Sequence, residues 1–285
     1  MNLTLRPGTA NDAKICGAIC HDAFKTIAEA HHFPPDFPSP EVAIGVLSWM
    51  LSHSGFYSVV AELDGRVVGS NFLDERSVIA GVGPITIDPT AQNKSIGRRL
   101  MEDVHERAAQ KNFPGVRLLQ SAYHTRSFSL YTKLGYDVRE PLACMQGPAL
   151  HESIPDLPVR AAQESDLEAC NTLCRQVHGH DRGGDLVDAI EQGTATVVER
   201  EGRITGYATI IGFFGHAVGV SNADIQALIA AAKEFAGPGF LLPTRNGELL
   251  RWCLDRGLRV IQPMTLMSKG FYNEPTAPFL PSILY

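Results

Sequence analysis

The feature that most constrains this chain is that it repeats itself. "LRPGTANDAKICGAIC" from Leu5 is answered by "VRAAQESDLEACNTLC" from Val159, so that Arg6, Asp12, Cys16 and Cys20 fall on Arg160, Asp166, Cys170 and Cys174 at an offset of 154. "DGRVVG" from Asp64 then matches "EGRITG" from Glu201 at an offset of 137, and "GYDVREPLACM" from Gly135 matches "GLRVIQPMTLM" from Gly257 at 122. The order is kept while the offset falls twice. A unit of about 150 residues is therefore duplicated, and the second copy is the shorter.

The two losses locate the difference between the copies. Seventeen positions disappear between the first helix and the "DGR" hairpin, where the first copy holds "HHFPPDFPSPE". Fifteen more disappear between Gly206 and Asn246, where the first copy holds "DPTAQNKSIGRRL". The second copy has there "FFGHAVGVSNADIQALIAAAKEFA", still helical in pattern but with no glycine-spaced polar loop before it. Function is expected in the first copy.

Each copy reads as strand, helix, helix, hairpin, strand, helix, strand, helix, strand, an α/β pattern with a mixed sheet. In the first copy the strands are expected at 57–63 and 66–73 around a "DG" turn, at 82–87 and at 116–121. Helices are expected at 96–111 and 125–134, the latter closed by Gly135. Both periodicities break in the proline-bearing "MQGPALHESIPDLP", which sets domains at 1–147 and 158–285 with a linker at 148–157. The apolar, proline-rich "FYNEPTAPFLPSILY" is expected either to pack on a domain as extended chain or to cap a partner subunit in a homodimer.

The 44% apolar and 20% charged composition suits a globular chain with more than one core, and the net charge of −6 speaks against a nucleic-acid partner. No stretch approaches the roughly 20 apolar residues of a membrane span. The first residues, "MNLTLRPGTANDAK", lack the apolar core of a signal peptide, so a cytoplasmic protein is expected. Cys16/Cys20 and Cys170/Cys174 are C-x3-C pairs on helix faces without partners at metal-site spacing; they are expected to be buried apolar thiols, and no metal is expected.

In "DPTAQNKSIGRRLMEDVHERAAQ", Ile96, Leu100, Val104 and Ala108 make one face of a helix whose first turn carries Arg98 and Arg99. The start of a helix already bears a positive partial charge and favours acids, so paired arginines there suggest a bound anion. A solvated basic helix start is the bland alternative. There is no G-x-G-x-x-G for a dinucleotide, and Gly97 is not followed by the Lys-Ser/Thr of a P-loop.

The first copy resembles the GCN5-related N-acetyltransferases, the GNAT family. Its signature, Gln/Arg-x-x-Gly-x-Gly/Ala between a strand and a helix, is met by Gln92-Asn93-Lys94-Ser95-Ile96-Gly97, with serine in place of the first glycine. The family's "LY-x-K-LGF" is met by "SLYTKLGY", and the pieces run in family order across residues 1–147. The resemblance implies an α+β fold of two tandem domains, each a mixed, mostly antiparallel sheet flanked by helices. It also implies acetyl transfer from acetyl-CoA to a primary amine of a small molecule or peptide.

Carried over by position, the resemblance implies that Ile85, Thr86 and Ile87 line the pantetheine arm from a splayed strand. Pro84, which cannot donate to a ladder, suits broken pairing there, though a bulge or an edge would explain it too. Gln92, Asn93, Lys94, Ser95, Ile96, Gly97, Arg98 and Arg99 would cradle the phosphates. Tyr131 would protonate the leaving thiolate, and His124 stands where the family often has a cofactor-contacting asparagine. Asp74 and Glu75 are the candidates for general base, with a capped turn as the alternative. His31, Phe33 and Phe37 of the insert are candidates for an acceptor pocket. The second copy has Asn246 in the asparagine's place but Cys253 in the tyrosine's, and reads as a degenerate domain. Two rivals stay open: a non-catalytic acyl-CoA sensor, and a tandem enzyme whose second copy is active.

Overall fold

A computed structural model describes residues 2–285. The first copy folds as β1 (Leu3–Pro7), α1 (Ala13–Ala30), α2 (Pro40–Ser52), β2 (Phe56–Leu63), β3 (Arg66–Asp74), β4 (Ala80–Val82) and β5 (Thr86–Ile87), then α3 (Ile96–Gln110), β6 (Gly115–Ser121), α4 (Thr125–Lys133) and β7 (Asp137–Gln146). The second follows the same order as β8 (Val159–Ala161), α5 (Leu167–His178), α6 (Gly183–Glu191), β9 (Thr196–Arg200), β10 (Arg203–Ala208) and β11 (Ala217–Gly219), then α7 (Asn222–Ala231), β12 (Phe240–Pro243), α8 (Gly247–Asp255) and β13 (Arg259–Gly270), with a tail strand β14 (Phe279–Leu280). The strand expected at 82–87 is two short strands, interrupted at Gly83–Pro84–Ile85.

The duplication is visible atom by atom. Arg6 bridges Asp12 and Glu62, each at 2.7 Å, and Arg160 bridges Asp166 at 2.6 Å and Glu199 at 3.0 Å. These are the repeat's own residues at its own offsets. The two hairpins likewise turn on Asp64-Gly65 (φ 50 and 79) and Glu201-Gly202 (φ 50 and 72), the left-handed pairs that a type I′ turn requires.

The sheets do not follow the boundary between the copies. A nine-stranded sheet runs β1-β2-β3-β4-β6-β13-β7-β12, with β5 pairing β3, so the second copy's last strand lies between β6 and β7 of the first. β13 is antiparallel to both, pairing β6 from Met264↔Ser121 to Gly270↔Gly115. The remaining strands form a five-stranded sheet, β14-β11-β10-β9-β8. Both sheets are mostly antiparallel and flanked by helices, an α+β fold, and the exchanged strands bind the copies through backbone hydrogen bonds rather than side chains alone.

Amphipathic helices close the core. On α3, Ile96, Leu100, Met101 and Val104 are buried against the sheet while Arg98 and Arg99 stay exposed. Each such burial contributes about 1.5–3 kcal/mol. The tail runs beyond β14 into the first copy: Ile283 N–H donates to the Phe213 carbonyl at 2.7 Å, and Leu284 joins the core between α1, α2 and the sheet. Leu284 passes so close to Gly81 that a Cβ there would lie 1.8 Å from its carbonyl oxygen. The tail thus crosses from one sheet to the other, extended at β14 and closing in a turn at Ile283 and Leu284. Among the described residues no helix is long and apolar enough to cross a membrane.

Candidate active site

The site begins where a sheet comes apart. β4 pairs in parallel with β6 at Ala80↔Val116 and Gly81↔Arg117, but β5 pairs β3 alone. Asp88 N–H donates to the Val68 carbonyl on β3, so by strand alternation the Ile87 amide points the other way, into the opening between β5 and β6. Thr86 Oγ1 is buried without a partner. The opening is part of a cleft of about 450 Å³ lined by residues 82–87, by the loop before α3, by β6 and α4, and by residues of the second copy.

At one end of the cleft the loop from Asp88 to Ser95 leads into α3. Asp88 caps its first turn through the Thr90 amide at 2.8 Å. Asn93 (φ 65) and Ser95 (φ 60, ψ 10) both take left-handed backbone, so Ser95 adopts the conformation that a glycine supplies without strain. Arg99 is the first amide of α3 to find an acceptor, the Ser95 carbonyl at 3.1 Å. The N–H groups of Ile96, Gly97 and Arg98 have none among the described residues, and the first turn holds no acid. Arg98 approaches Glu102 at 3.6 Å, whereas Lys94 and Arg99 make no ion pair among the described residues. Gly97 contributes closeness: a Cβ there would sit 3.0 Å from Ile87 Cδ1 and 3.5 Å from Leu130 Cδ2.

One loop-binding residue escapes a reading of the sequence. Arg126, in the first turn of α4, donates to Gln92 Oε1 and to Asn93 Oδ1, the latter at 3.3 Å. It holds the loop to α4 and adds a cation to this end of the cleft; the only local signal is its place two residues after His124.

Tyr131 and His124 both line the cleft. Burial drives the Tyr131 phenol far above its ordinary pKa, so it stays protonated and able to donate, and its hydroxyl bonds no protein group among the described residues. His124 is pushed down to about 4 by burial and by the neighbouring Arg126 charge, which makes it a neutral imidazole, with Nε2 buried and unpartnered.

The two carboxylates expected as bases lie elsewhere. Asp74 and Glu75 do not line the cleft. Arg76 binds Asp74 at 2.6 Å and reaches Asp188 at 2.7 Å, tying the first copy to α6 of the second, and Arg107 binds Glu75 at 2.6 Å. Both are spent on ion pairs, a correction to the sequence-based expectation. Of the insert's aromatics, Phe37 lines the cleft, while Phe33 stacks on Tyr123 and His31 lies tilted against it, with ring centroids 4.3 and 5.3 Å away. The insert also places Asp36 in the lining, and Phe213, Phe214, Met264, Ile283 and Leu284 of the second copy complete it.

The equivalent place in the second copy is closed. Only Val220 and Ser221 separate β11 from α7, and Asp224 in the first turn accepts from the Ser221 amide at 2.8 Å and its hydroxyl at 2.7 Å. β14 pairs with β11 at Ala217↔Leu280 and Val218↔Phe279, filling the side that stays open beside β5. Cys253 is buried in an apolar core, and Asn246 caps α8 through the Leu249 amide.

All six cysteines are buried and free. Cys174, His178 and His216 nevertheless bring three potential ligand atoms within 4.8 Å of one another, a grouping foreshadowed only by the i,i+4 spacing of Cys174 and His178. The two imidazoles face each other Nε2 to Nε2 at 3.2 Å, and burial together with the Arg117 and Arg182 charges holds both far below their ordinary pKa. That surround of cations opposes a further positive charge.

Comparison with known proteins agrees with the fold. The model of the acetyltransferase (GNAT) family matches residues 22–136. No curated protein matches the chain. Among solved structures, a provisionally named acetyltransferase from Pyrococcus horikoshii superimposes with a TM-score of 0.74 at 16% identity, over 96% of this chain and 91% of that one. A GCN5-related N-acetyltransferase from Sphaerobacter thermophilus superimposes with a TM-score of 0.61 at 18% identity, over 95% and 96%. At these identities the likeness is one of fold, and it extends over both copies.

Proposed function

We propose, from the match of the acetyltransferase (GNAT) family model to residues 22–136, that this protein transfers an acetyl group from acetyl-CoA to a primary amine at a single site, in its first copy. The observation that carries the reading is the contrast at the start of α3. Three unpaired amides, left-handed Asn93 and Ser95, and the cations Arg98 and Arg126 meet at one end of a cleft that continues along an open strand, while Lys94 and Arg99 are exposed and outside its lining. Such an end suits a pyrophosphate, and the strand suits an amide-bearing arm.

The residues present fit acetyl-CoA as substrate. Gln92, Asn93, Lys94, Ser95, Ile96, Gly97, Arg98 and Arg99 would hold its phosphates, with His124 beside the arm and Ile85, Thr86 and Ile87 along it. In the reaction the ammonium gives its extra proton to water, and the neutral nitrogen forms a bond to the thioester carbonyl carbon while the carbon–sulfur bond breaks. The second proton the nitrogen sheds returns through water to Tyr131 in place of the one given to sulfur. The Ile87 amide, aimed into the cleft, is placed to donate to the carbonyl oxygen as it gains charge. Tyr131, held protonated by its burial, gives its proton to the departing sulfur. His124 stays neutral near pH 7 and can accept or donate.

Calorimetric titration of acetyl-CoA into the whole chain is the direct test, with thiol release on adding an amine as the second readout. One equivalent bound and thiol released supports the proposal. Binding without turnover over a broad amine set would make the protein an acyl-CoA sensor, and absence of binding would remove the reading altogether.

A further inference from the structure

Beyond the loop end, the cleft wall carries a charge at one point only: its other polar members, Thr26, Thr86, Gln120, Ser121, His124 and Ser127, are neutral. Asp36 is the single acid in the lining, and it makes no ion pair among the described residues. Its Oδ1 accepts a 2.8 Å hydrogen bond from Nε2 of Gln262, a buried side chain whose Oε1 in turn accepts from the Tyr123 hydroxyl at 3.1 Å. Tyr123 is fixed by stacking on Phe33. Gln262 stands at a register shift between β13 and β7, so the exchanged strand of the second copy is what orients a carboxylate of the first.

Asp36 acts electrostatically on Cys20, Cys144 and Tyr123, and burial raises all three, so each is neutral near pH 7. Desolvation likewise holds the Asp36 carboxyl above its ordinary range. A carboxylate withdrawn from water with no countercharge costs several kcal/mol. The arrangement is incomplete as a structural device and becomes complete when a cation enters the cleft. The cleft lining includes Phe24, Ile27, Phe37, Phe214, Met264 and Leu284, which favour an apolar body, and it offers no second acid for a second cation.

We propose that the acceptor is an apolar monoamine, its ammonium group bound by Asp36 and its body packed in the chamber that the second copy closes with Phe214, Met264 and Leu284. This inference rests on the reading of the cleft as an acetyl-transfer site. Under it the second copy binds no cofactor of its own and serves instead to build and orient the acceptor subsite.

The test compares 2-phenylethylamine and hexylamine with spermidine and a lysine-bearing peptide as acceptors, in the whole protein, Asp36→Asn and Phe214→Ala. Acetyl-CoA affinity is measured by calorimetry in each. Asparagine keeps an oxygen for Gln262, so unchanged acetyl-CoA affinity reports an intact fold. The expected result is at least tenfold higher kcat/KM for the two apolar monoamines than for spermidine or the peptide. Asp36→Asn should raise the KM for 2-phenylethylamine at least tenfold, and Phe214→Ala should raise it severalfold. An unchanged KM in Asp36→Asn, or a preference for spermidine or the peptide, overturns the subsite. Acetyl-CoA binding with none of the four amines acetylated overturns it too, while leaving the cofactor reading standing. Failure of the whole protein to bind acetyl-CoA removes that reading, and the subsite with it.

Discussion

α3 and α7, which hold the same place in the two copies, start in opposite ways. α3 begins after an eight-residue loop, with left-handed Ser95 before it, arginines in its first turn and amides that meet no acceptor. α7 begins two residues after β11, with Asp224 folded back on its first turn and further bound by Thr205 at 2.6 Å and Arg200 at 3.2 Å. One helix leaves its positive end open to a ligand, and the other neutralises that end with its own carboxylate. Beside them the strands differ in the same sense, β5 with a free side and β11 with that side taken by β14. A duplicated scaffold has thus kept its frame in both halves and its opening in one.

The largest effect expected from this contrast is on binding. Acetyl-CoA should bind one equivalent per chain, and Gly97→Trp should weaken it more than a hundredfold, because even a Cβ at that position meets Ile87 and a ring would fill the cleft beside it. Calorimetry on both proteins decides. Two equivalents, or a variant that binds as well as the parent, would break the distinction between the halves.

Next in size is a purely chemical effect. Tyr131→Phe should lower kcat about a hundredfold, a typical loss for a missing proton donor, with acetyl-CoA affinity within twofold of the parent. Its counterpart Cys253 is shut in an apolar core, so Cys253→Ala should leave kcat unchanged. Steady-state kinetics on the pair sharpens the comparison, and a matching loss in both would dissolve it.

Much of this was legible in the sequence because it is local or repeated. The offsets matched Arg6 and Asp12 to Arg160 and Asp166, though Glu62 and Glu199, which complete the clusters, lie just outside the matched stretches. The loop and "LYTKLGY" motif marked residues of which Lys94 and Arg99 fall outside the cleft lining. What was not legible depends on partners distant in the chain. Alternation shows that β13 is a strand but not that it pairs β6 and β7 of the other copy. Asp74 and Glu75 sit near the site in sequence, yet Arg76 and Arg107 claim them in space. Asp36, by contrast, lies in a proline-broken insert whose pattern predicts no structure, and only the fold brings it to Gln262.

The halves should also differ in how they answer acid. His178 and His216 are held neutral far below the ordinary histidine range, and His180 is pushed down to about 4, all by burial first and neighbouring cations second. The unfolded chain takes up protons on these groups near pH 6.5 while the folded one does not, so stability is full above that pH and falls as pH drops toward 4. The slope is about 1.4 kcal/mol per pH unit for each proton taken up on unfolding. His105 and His124 of the first copy, both near 4, add to it, but three of the five lie in the second. Thermal melts from pH 8 to pH 4.5 should show the fall, and His216→Gln should make it shallower; a flat profile would mean the imidazoles are solvated.

The smallest expected effect bears most directly on how the open helix start is built. Ser95 sits at φ 60 with no side-chain hydrogen bond to cap α3, so it carries the strain of left-handed backbone without the usual return. Ser95→Gly relieves roughly 1–2 kcal/mol of that strain and loses roughly 0.5–1 kcal/mol to the greater freedom of the unfolded chain. The net gain should be about 0.5–1 kcal/mol, a rise in Tm of about 1–3 °C, with acetyl-CoA affinity equal or better. Ser221 offers the control, because its φ of −141 is extended and its hydroxyl bonds Asp224; Ser221→Gly should destabilise. Opposite signs for the same substitution at the two helix starts would show that the first is shaped for a ligand and the second for stability. The same sign at both would mean that Ser95 is held by something other than the geometry of the loop.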